Sequence, residues 1–318
     1  MPAAEDPGAT GRVADAWTSL VPLPGGWSGE TFLAGAPGEQ SVVRIYAGHS
    51  LRGAAAAEVD AALLRLVSGL VPVPRVLELR RADPVAGRPA LLITELLPGR
   101  RADEVLPTLG AEGRRRLGGN LGVLLADLGG MPMLRRGPFL DADLSIGTWD
   151  ALDGVPELVE HFLPQLAHLG RTEVAALRSV ADRAQEALDG VGRSCLVHSD
   201  FNLKNLLVAP DTLRVTGLVD WEYAHAGHPF TDLGNLLRFE RDPDFSDAVL
   251  TAYAARRGVE PRRALELARA ADLAALVDLS ARREQNPVAA RADRLLRSIL
   301  ASGDLSGGLD EGVRDRVG

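Results

Sequence analysis

The octet HSDFNLKN, residues 198–205, sets a His, an Asp and an Asn around Lys204, the sole lysine among 318 residues. The apolar run SCLVH before it reads as a buried strand that ends in a loop at His198. Two further runs, NLLV and VTGLVDW, are separated by APDTLR, which is rich in turn formers. A hairpin closed on Asp211–Arg214 sets Asn205 opposite Asp220 at its open end, with Asp200 a few residues before that end. Two carboxylates and an amide oxygen then converge. Such hard donors suit Mg²⁺, which usually keeps waters and substrate phosphates in its shell. Any one of these residues taken singly is better explained as a turn former or a strand end. It is the Asp-x4-Asn spacing, with a second Asp at the far end of a hairpin, that points to chemistry.

The elements that must position this loop follow from the rest of the pattern. Residues 20–46 read as a β-hairpin: LVPLPGGW, a Gly-rich bend, TFLAG, the turn APGEQ, and SVVRIYA. From Ala54 to Leu70, the spacing of Val59, Leu63, Leu66 and Leu70 predicts an amphipathic helix, stopped by VPVP. Two strand-like runs come next, RVLELR and PALLITELL, the second ending at Pro98-Gly99. Beyond that point the character changes. Residues 106–130 are helical in pattern despite many glycines, 150–190 hold two more helices, and short strands fall around 194–222. Residues 245–300 return to helix, with RRALELARAADLAALVDLSARRE the clearest amphipathic stretch. The expectation is an α+β chain: a β-rich N-terminal lobe over 1–97, then a larger, mainly helical lobe over 98–318, with a hinge near Leu97–Gly99. The first ten residues and the tail from about 301 are expected to be mobile.

The string H-x-D-x-x-x-x-N followed by GLVDWE resembles the aminoglycoside phosphotransferase and choline kinase-like family, which shares the protein-kinase fold. The resemblance covers roughly residues 20–300. It implies a bilobal protein-kinase-like fold, with an antiparallel sheet and one key helix in the first lobe. Carried over residue by residue, Asp200 resembles the catalytic Asp that accepts or orients the substrate hydroxyl proton. Asn205 and Asp220 resemble the Mg²⁺ ligands that bridge the nucleotide phosphates. His198 resembles the scaffold histidine of the loop, and Asp232, in Pro229-Phe230-Thr231-Asp232-Leu233-Gly234, resembles the Asp that braces that loop from below. Both roles are structural.

Phosphoryl transfer also needs donors for the triphosphate. GGWSGETF lies between two strands and can cover phosphates with backbone N–H groups of Ser28, Gly29 and Glu30. It is no P-loop, since no G-K-[ST] follows. Related kinases place a lysine on the third strand, paired with a helix glutamate. Here that slot holds Arg44, and the following helix offers Glu58. An arginine keeps the charge and can grip a carboxylate or phosphate with two donors, although its planar head differs from an ammonium. Lys204 stands four positions after Asp200, not two as in protein kinases, where the slot here is Asn202. The resemblance sets the adenine against backbone around Glu95, Leu96 and Leu97. That contact leaves no side-chain trace, so ATP and GTP stay equally open.

Only WEYAHAGH separates Asp220 from Pro229, which leaves almost no activation segment to hold a peptide. A small-molecule hydroxyl acceptor is the better reading. Glu222, Asp150 and Glu157 are candidates for an acidic wall, with Asp153, Glu160, Glu240, Asp242, Asp244 and Asp247 nearby in sequence. Such a wall suits a cationic acceptor: an aminoglycoside, a basic peptide antibiotic or choline. The same acids are spaced like a solvated helix face. His225-x-x-His228 has no evident third ligand and is read as loop-shaping. The resulting expectation is an ATP- or GTP-dependent, Mg²⁺-dependent O-phosphotransferase whose acceptor is an antibiotic. The alternatives are a metabolic kinase for choline, homoserine or a sugar, and a nucleotide-binding pseudokinase that Arg44 alone supports.

Composition bounds these readings. Hydrophobic residues at 46% and charged residues at 25% are ordinary for a globular protein. The scarcity of lysine beside abundant arginine, alanine, glycine and leucine looks like a nucleotide-composition bias. A net charge of −8 argues against a nucleic-acid partner, which needs a basic face. Cys195 is the single cysteine, so no internal disulfide can form and a reducing, cytoplasmic setting is expected. No signal peptide or membrane span is evident.

Overall fold

The structure of the protein is a computed structural model that describes residues 19–23, 30–36, 39–46, 52–149 and 154–307. Ser28, Gly29, Asp150, Asp153, the first ten residues and the tail beyond 307 lie outside the described residues, and of Glu30 only the backbone is described. The chain divides into two units: 1–69, 73–97 and 140–145 in one, and 70–72, 98–139 and 146–318 in the other.

In the first unit, β1 (Ser19–Pro22), β2 (Glu30–Ala36), β3 (Glu39–Tyr46), α1 (Ala56–Val67), β4 (Val76–Arg80) and β5 (Ala90–Glu95) follow in chain order. The strands form one antiparallel sheet in the order β1-β2-β3-β5-β4. Period-two alternation puts Val43 in a buried cluster with Ala34 and Ile93, against which Ile45 and Leu77 pack. Arg44 and Tyr46 therefore leave β3 on the other face. Helix α1 buries Val59, Leu63, Leu64 and Val67, whereas Leu66 and Leu70 are exposed, so the apolar stripe runs one residue off the expected spacing. The helix also ends earlier than expected: Ser68 is already extended, ahead of the VPVP stretch.

The second unit opens with β6 (Arg100–Arg101), α2 (Ala102–Val105), α3 (Ala111–Leu128), β7 (Pro132–Met133) and β8 (Gly137–Pro138). It continues with α4 (Val155–Phe162), α5 (Arg171–Asp189), β9 (Ser194–Val197), β10 (Leu206–Val208), β11 (Val215–Leu218) and β12 (His225–Gly227). Helices α6 (Thr231–Leu237), α7 (Pro243–Arg257), α8 (Pro261–Ala281) and α9 (Pro287–Ser302) complete it. Two small sheets, β11-β10-β6 and β7-β9-β12-β8, flank the loop that holds Asp200. The last three helices start alike, with a proline just inside and a side-chain oxygen before it. Asp242 accepts from the Phe245 N–H, Glu260 from Arg262 and Arg263, and Asn286 from Ala289. The glycines that weaken α3 as a helix explain its packing. A β-carbon at Gly122 would overlap the Val249 carbonyl oxygen of α7, so the two backbones approach too closely for any side chain.

Gly122→Ala is expected to destabilise the second unit by about 1–3 kcal/mol, read as a lower denaturation midpoint at unchanged slope.

Candidate active site

Strand β9 carries the apolar run Cys195-Leu196-Val197 fully into the core, and its end fixes where the loop begins. Burial pushes the Cys195 thiol up to about 12, which removes it from nucleophilic chemistry. His198 is completely buried. Its Nε2 lies 3.0 Å from the Val219 carbonyl oxygen, and its Nδ1 accepts from the Asp200 N–H at 3.3 Å. A carbonyl can only accept and a backbone N–H can only donate, so the ring is neutral with its proton on Nε2. With a backbone contact at each nitrogen, His198 ties β9's end to the end of β11. Trp221 stacks edge-on to it at 4.8 Å.

The loop that follows turns sharply. Ser199 takes φ 66°, the left-handed region. The buried carboxylate of Asp232, in the first turn of α6, accepts from the N–H groups of both His198 and Ser199 at 2.8 Å. Burial raises this carboxyl to about 6, against the pull of those two donors, and with one N–H on each oxygen the carboxylate is the form the contacts favour. Helix α6 is in turn fixed to α8. A β-carbon at Gly234 would overlap the Ala268 carbonyl oxygen, and Arg238 grips Asp272 through Nε at 2.9 Å and Nη2 at 2.6 Å.

What this scaffold presents is the Asp200 carboxylate. Asn202 Nδ2 donates to Oδ1 at 2.7 Å, and Asn205 Nδ2 donates to Oδ2 at 2.8 Å and to the Asp200 main-chain oxygen at 2.9 Å. Lys204 Nζ stands 3.4 Å from the same Oδ2. Each carboxylate oxygen is thus oriented by an amide. Asn202 also accepts the Lys204 N–H, closing the short turn 203–205. The sequence does not mark Asn202 as a site residue, because an Asn in a turn has a sufficient local explanation.

The hairpin β10–β11 differs from its expected register. Leu206 pairs with Leu218, a bulge lies between Leu207 and Val208, and the Val219 N–H donates to the Asn205 oxygen at 3.0 Å. Asn205 therefore faces Val219, and Asp220 is the next residue along. The connection closes between Ala209 and Arg214, wider than expected, and the bulge returns only one residue. Asp220 takes φ 67°, a conformation that Asp tolerates better than most residues. Asp200 and Asp220 carry carboxylate oxygens, and Asn205 spends its amide hydrogens on Asp200, which leaves its carbonyl oxygen as its ligating group. That donor chemistry fits a hard divalent cation. Among the described residues, no three His, Cys, Asp or Glu side chains gather as a metal cluster. His225 Nδ1 donates to the Tyr223 oxygen at 2.9 Å, and His228 is buried.

In the first unit, Arg44 does not pair with Glu58. Its Nη1 lies 4.0 Å from Asp60 Oδ2, while Glu58 meets Arg81 Nε at 3.5 Å. Two positions along a helix is more than half a turn, so only one of the two acids can face the sheet, and it is Asp60. Asp60 is buried, takes the Tyr46 hydroxyl at 2.6 Å, and is paired with Arg52. Burial first, then the Asp60 charge, pushes the Tyr46 phenol far up. The Glu95 N–H donates to the Arg75 oxygen at 3.0 Å and its carboxylate accepts from the Arg75 N–H, so this residue anchors the end of β5. Leu97 ends the 73–97 segment of that unit.

The proposed acidic wall is largely spoken for. Glu160 is bound twice by Arg178, Asp242 caps α7 and pairs with Arg114, and Asp244 pairs with Arg115. Glu157 belongs to the first turn of α4, its carboxylate folded over Gly154. Glu222 is half-buried, and beside it Tyr223 stays 41% exposed although burial and the charges of Glu222 and Asp200 raise its phenol.

A model of the phosphotransferase enzyme family matches residues 19–267. The chain belongs to that family. Among curated relatives, the streptomycin 3''-kinase of Streptomyces griseus is 31% identical over 207 residues, which cover 60% of this chain and 69% of that one. Mouse acyl-CoA dehydrogenase family member 11 is 32% identical over 91 residues, covering 23% of this chain. The chain spans only 12% of that relative's length. A thermostable mutant of aminoglycoside phosphotransferase APH(4)-Ia, solved with ADP and hygromycin B, superposes with a TM-score of 0.62 at 18% identity, over 90% of this chain and 95% of that one. The α+β fold is therefore the kinase-like fold of the aminoglycoside phosphotransferases. Among the described residues, no helix is long and apolar enough to cross a membrane.

Within this family member, two buried groups near the loop titrate with opposite sign. Burial lowers His228 to about 4, so the unfolded chain binds more protons between about pH 4 and 6.5, and this residue's contribution is lost on acidification. Asp232, raised to about 6, contributes stability that is present in acid and lost as pH rises to about 6. The two slopes oppose. His228→Gln is expected to leave the Asp232 slope alone, making the protein gain stability from pH 6 to 4.5 relative to wild type, by at most about 2 kcal/mol in urea melts.

Proposed function

We propose that the chain is an O-phosphotransferase that moves the γ-phosphoryl group of ATP or GTP to a hydroxyl of a small molecule, with an antibiotic of the aminoglycoside or basic-peptide type as acceptor. The observation that carries this reading is the Asp200 carboxylate, each oxygen oriented by an amide on a loop locked from beneath. A group that takes a proton in the transition state must be held in place rather than found by diffusion.

Asp200 accepts the proton of the acceptor hydroxyl as its oxygen attacks the γ-phosphorus. The new O–P bond forms, the bond to the bridging β–γ oxygen breaks, and the nucleoside diphosphate leaves with that electron pair. Asn205 and Asp220 would hold Mg²⁺, which when bound neutralises charge on the phosphate oxygens. Arg44, backed by Asp60 rather than Glu58, is assigned to the nucleotide phosphates, as are the backbone groups of Ser28, Gly29 and Glu30. Glu95 and Leu97 are assigned to the base through their backbone. Glu222 and the exposed face of Tyr223 are assigned to the acceptor, where a carboxylate and an aromatic ring suit a cationic molecule. The likeness to a streptomycin kinase supports the antibiotic form of the reading.

Incubation with γ-³²P-labelled ATP or GTP and a panel of aminoglycosides, basic peptide antibiotics, choline, homoserine and sugars tests it. Label should pass to at least one antibiotic, and Asp200→Asn should cut the rate by about 10²–10⁴-fold with nucleotide binding kept. Label on choline, homoserine or a sugar alone would overturn the antibiotic assignment.

A further inference from the structure

We propose that Lys204 is a catalytic residue whose ammonium donates to the transferring phosphoryl group. The inference rests on the phosphotransferase reading above and adds a group to it. Lys204 Nζ lies 3.4 Å from Asp200 Oδ2, the oxygen already held by Asn205 Nδ2 at 2.8 Å. The lysine side chain is 45% exposed, so an ion pair of this length adds little to stability and the fold does not explain it. Its starting point is nonetheless fixed, because the Lys204 N–H donates to Asn202 Oδ1 at 3.1 Å.

The geometry then points to the reacting phosphorus. The acceptor oxygen must hydrogen-bond to Asp200 to hand over its proton, and the phosphorus lies one bond beyond that oxygen. A cation beside the same carboxylate, on a flexible four-carbon stem, reaches the non-bridging oxygens of the group in flight. An ammonium has three donors, so one contact to Asp200 leaves two for phosphoryl oxygens. It keeps all its protons throughout. The acceptor proton goes to Asp200, and the electron pair of the broken β–γ bond leaves with the nucleoside diphosphate.

The residue type supports the same role. Of 35 lysines and arginines in the chain, only this one is a lysine. A guanidinium at 204 would meet the carboxylate as a two-pronged fork and crowd the lone pairs that must receive the acceptor proton. An ammonium makes a single-point contact and can be shared with a phosphate.

The test compares wild type, Lys204→Met, Lys204→Arg and Asp200→Asn for phosphate release from Mg-ATP and Mg-GTP with water as acceptor, beside nucleotide Kd and melting temperature. Lys204→Met should lose about 10²-fold in kcat with Kd and melting temperature little changed, and Lys204→Arg should not restore it. The solitude of this lysine allows a readout independent of turnover. An acyl-phosphate derivative of ATP or GTP, which acylates amines near the γ-phosphate, should modify Lys204, and excess unmodified nucleotide should suppress the adduct. Wild-type kcat in Lys204→Met, full rescue by arginine, or an adduct that nucleotide does not suppress would each overturn the proposal. Hydrolysis that needs Asp200 but not Lys204 removes Lys204 alone. Absence of both binding and hydrolysis removes the phosphotransferase reading beneath it.

Discussion

The buried carboxylate of Asp232 is the constraint on which the site depends. It sits in the first turn of α6 and accepts the N–H groups of His198 and Ser199, two successive donors that a left-handed Ser199 turns away from any strand ladder. Without that acceptor, the buried His198 N–H would be left unsatisfied, at about 1–3 kcal/mol, and the part-buried Ser199 N–H would lose its partner. Helix α6 can serve as a fixed support because Gly234 lets it lie directly on α8 and because Arg238 and Asp272 pair across the contact. The neutral His198 ring adds a second tie, to Val219. Rigidity therefore passes from the helical core to α6, then to the loop, and only then to Asp200.

The first unit is organised by one buried acid of its own. Asp60 gathers Tyr46, Arg52 and Arg44 onto one side of α1, opposite the face that carries Glu58. Among the described residues, Arg44 reaches that carboxylate at 4.0 Å, beside Tyr46 and Arg52. Its ring neighbour Tyr46, 5.3 Å from the guanidinium carbon, limits it further.

Much of this was legible in the sequence, and the exceptions have physical causes. The Asp200–Asn205 spacing was readable because a short turn leaves few ways to place two side chains, and the strand and helix order followed from apolar period. The choice of Asp60 over Glu58 was not readable, since it depends on the rotation of α1 about its axis. That rotation also turns Leu66 outward, and it is set by packing. The register of β10–β11 slipped by one because a bulge carries no composition signal. Two-residue strands such as β7 and β8 exist only through their partners β9 and β12, so no local pattern marks them. The glycines of α3 read as weak helix and proved to be the contact surface for α7.

Amide hydrogen exchange at His198 and Ser199 near pH 7 tests the central claim most directly. If the ionised Asp232 carboxylate locks the loop, both amides exchange as slowly as those of Leu196 and Val197 in β9, opening only with global unfolding. In Asp232→Asn that protection should fall while β9 stays protected. Exchange at His198 and Ser199 as fast as in an exposed turn, in the wild-type protein, would contradict the account.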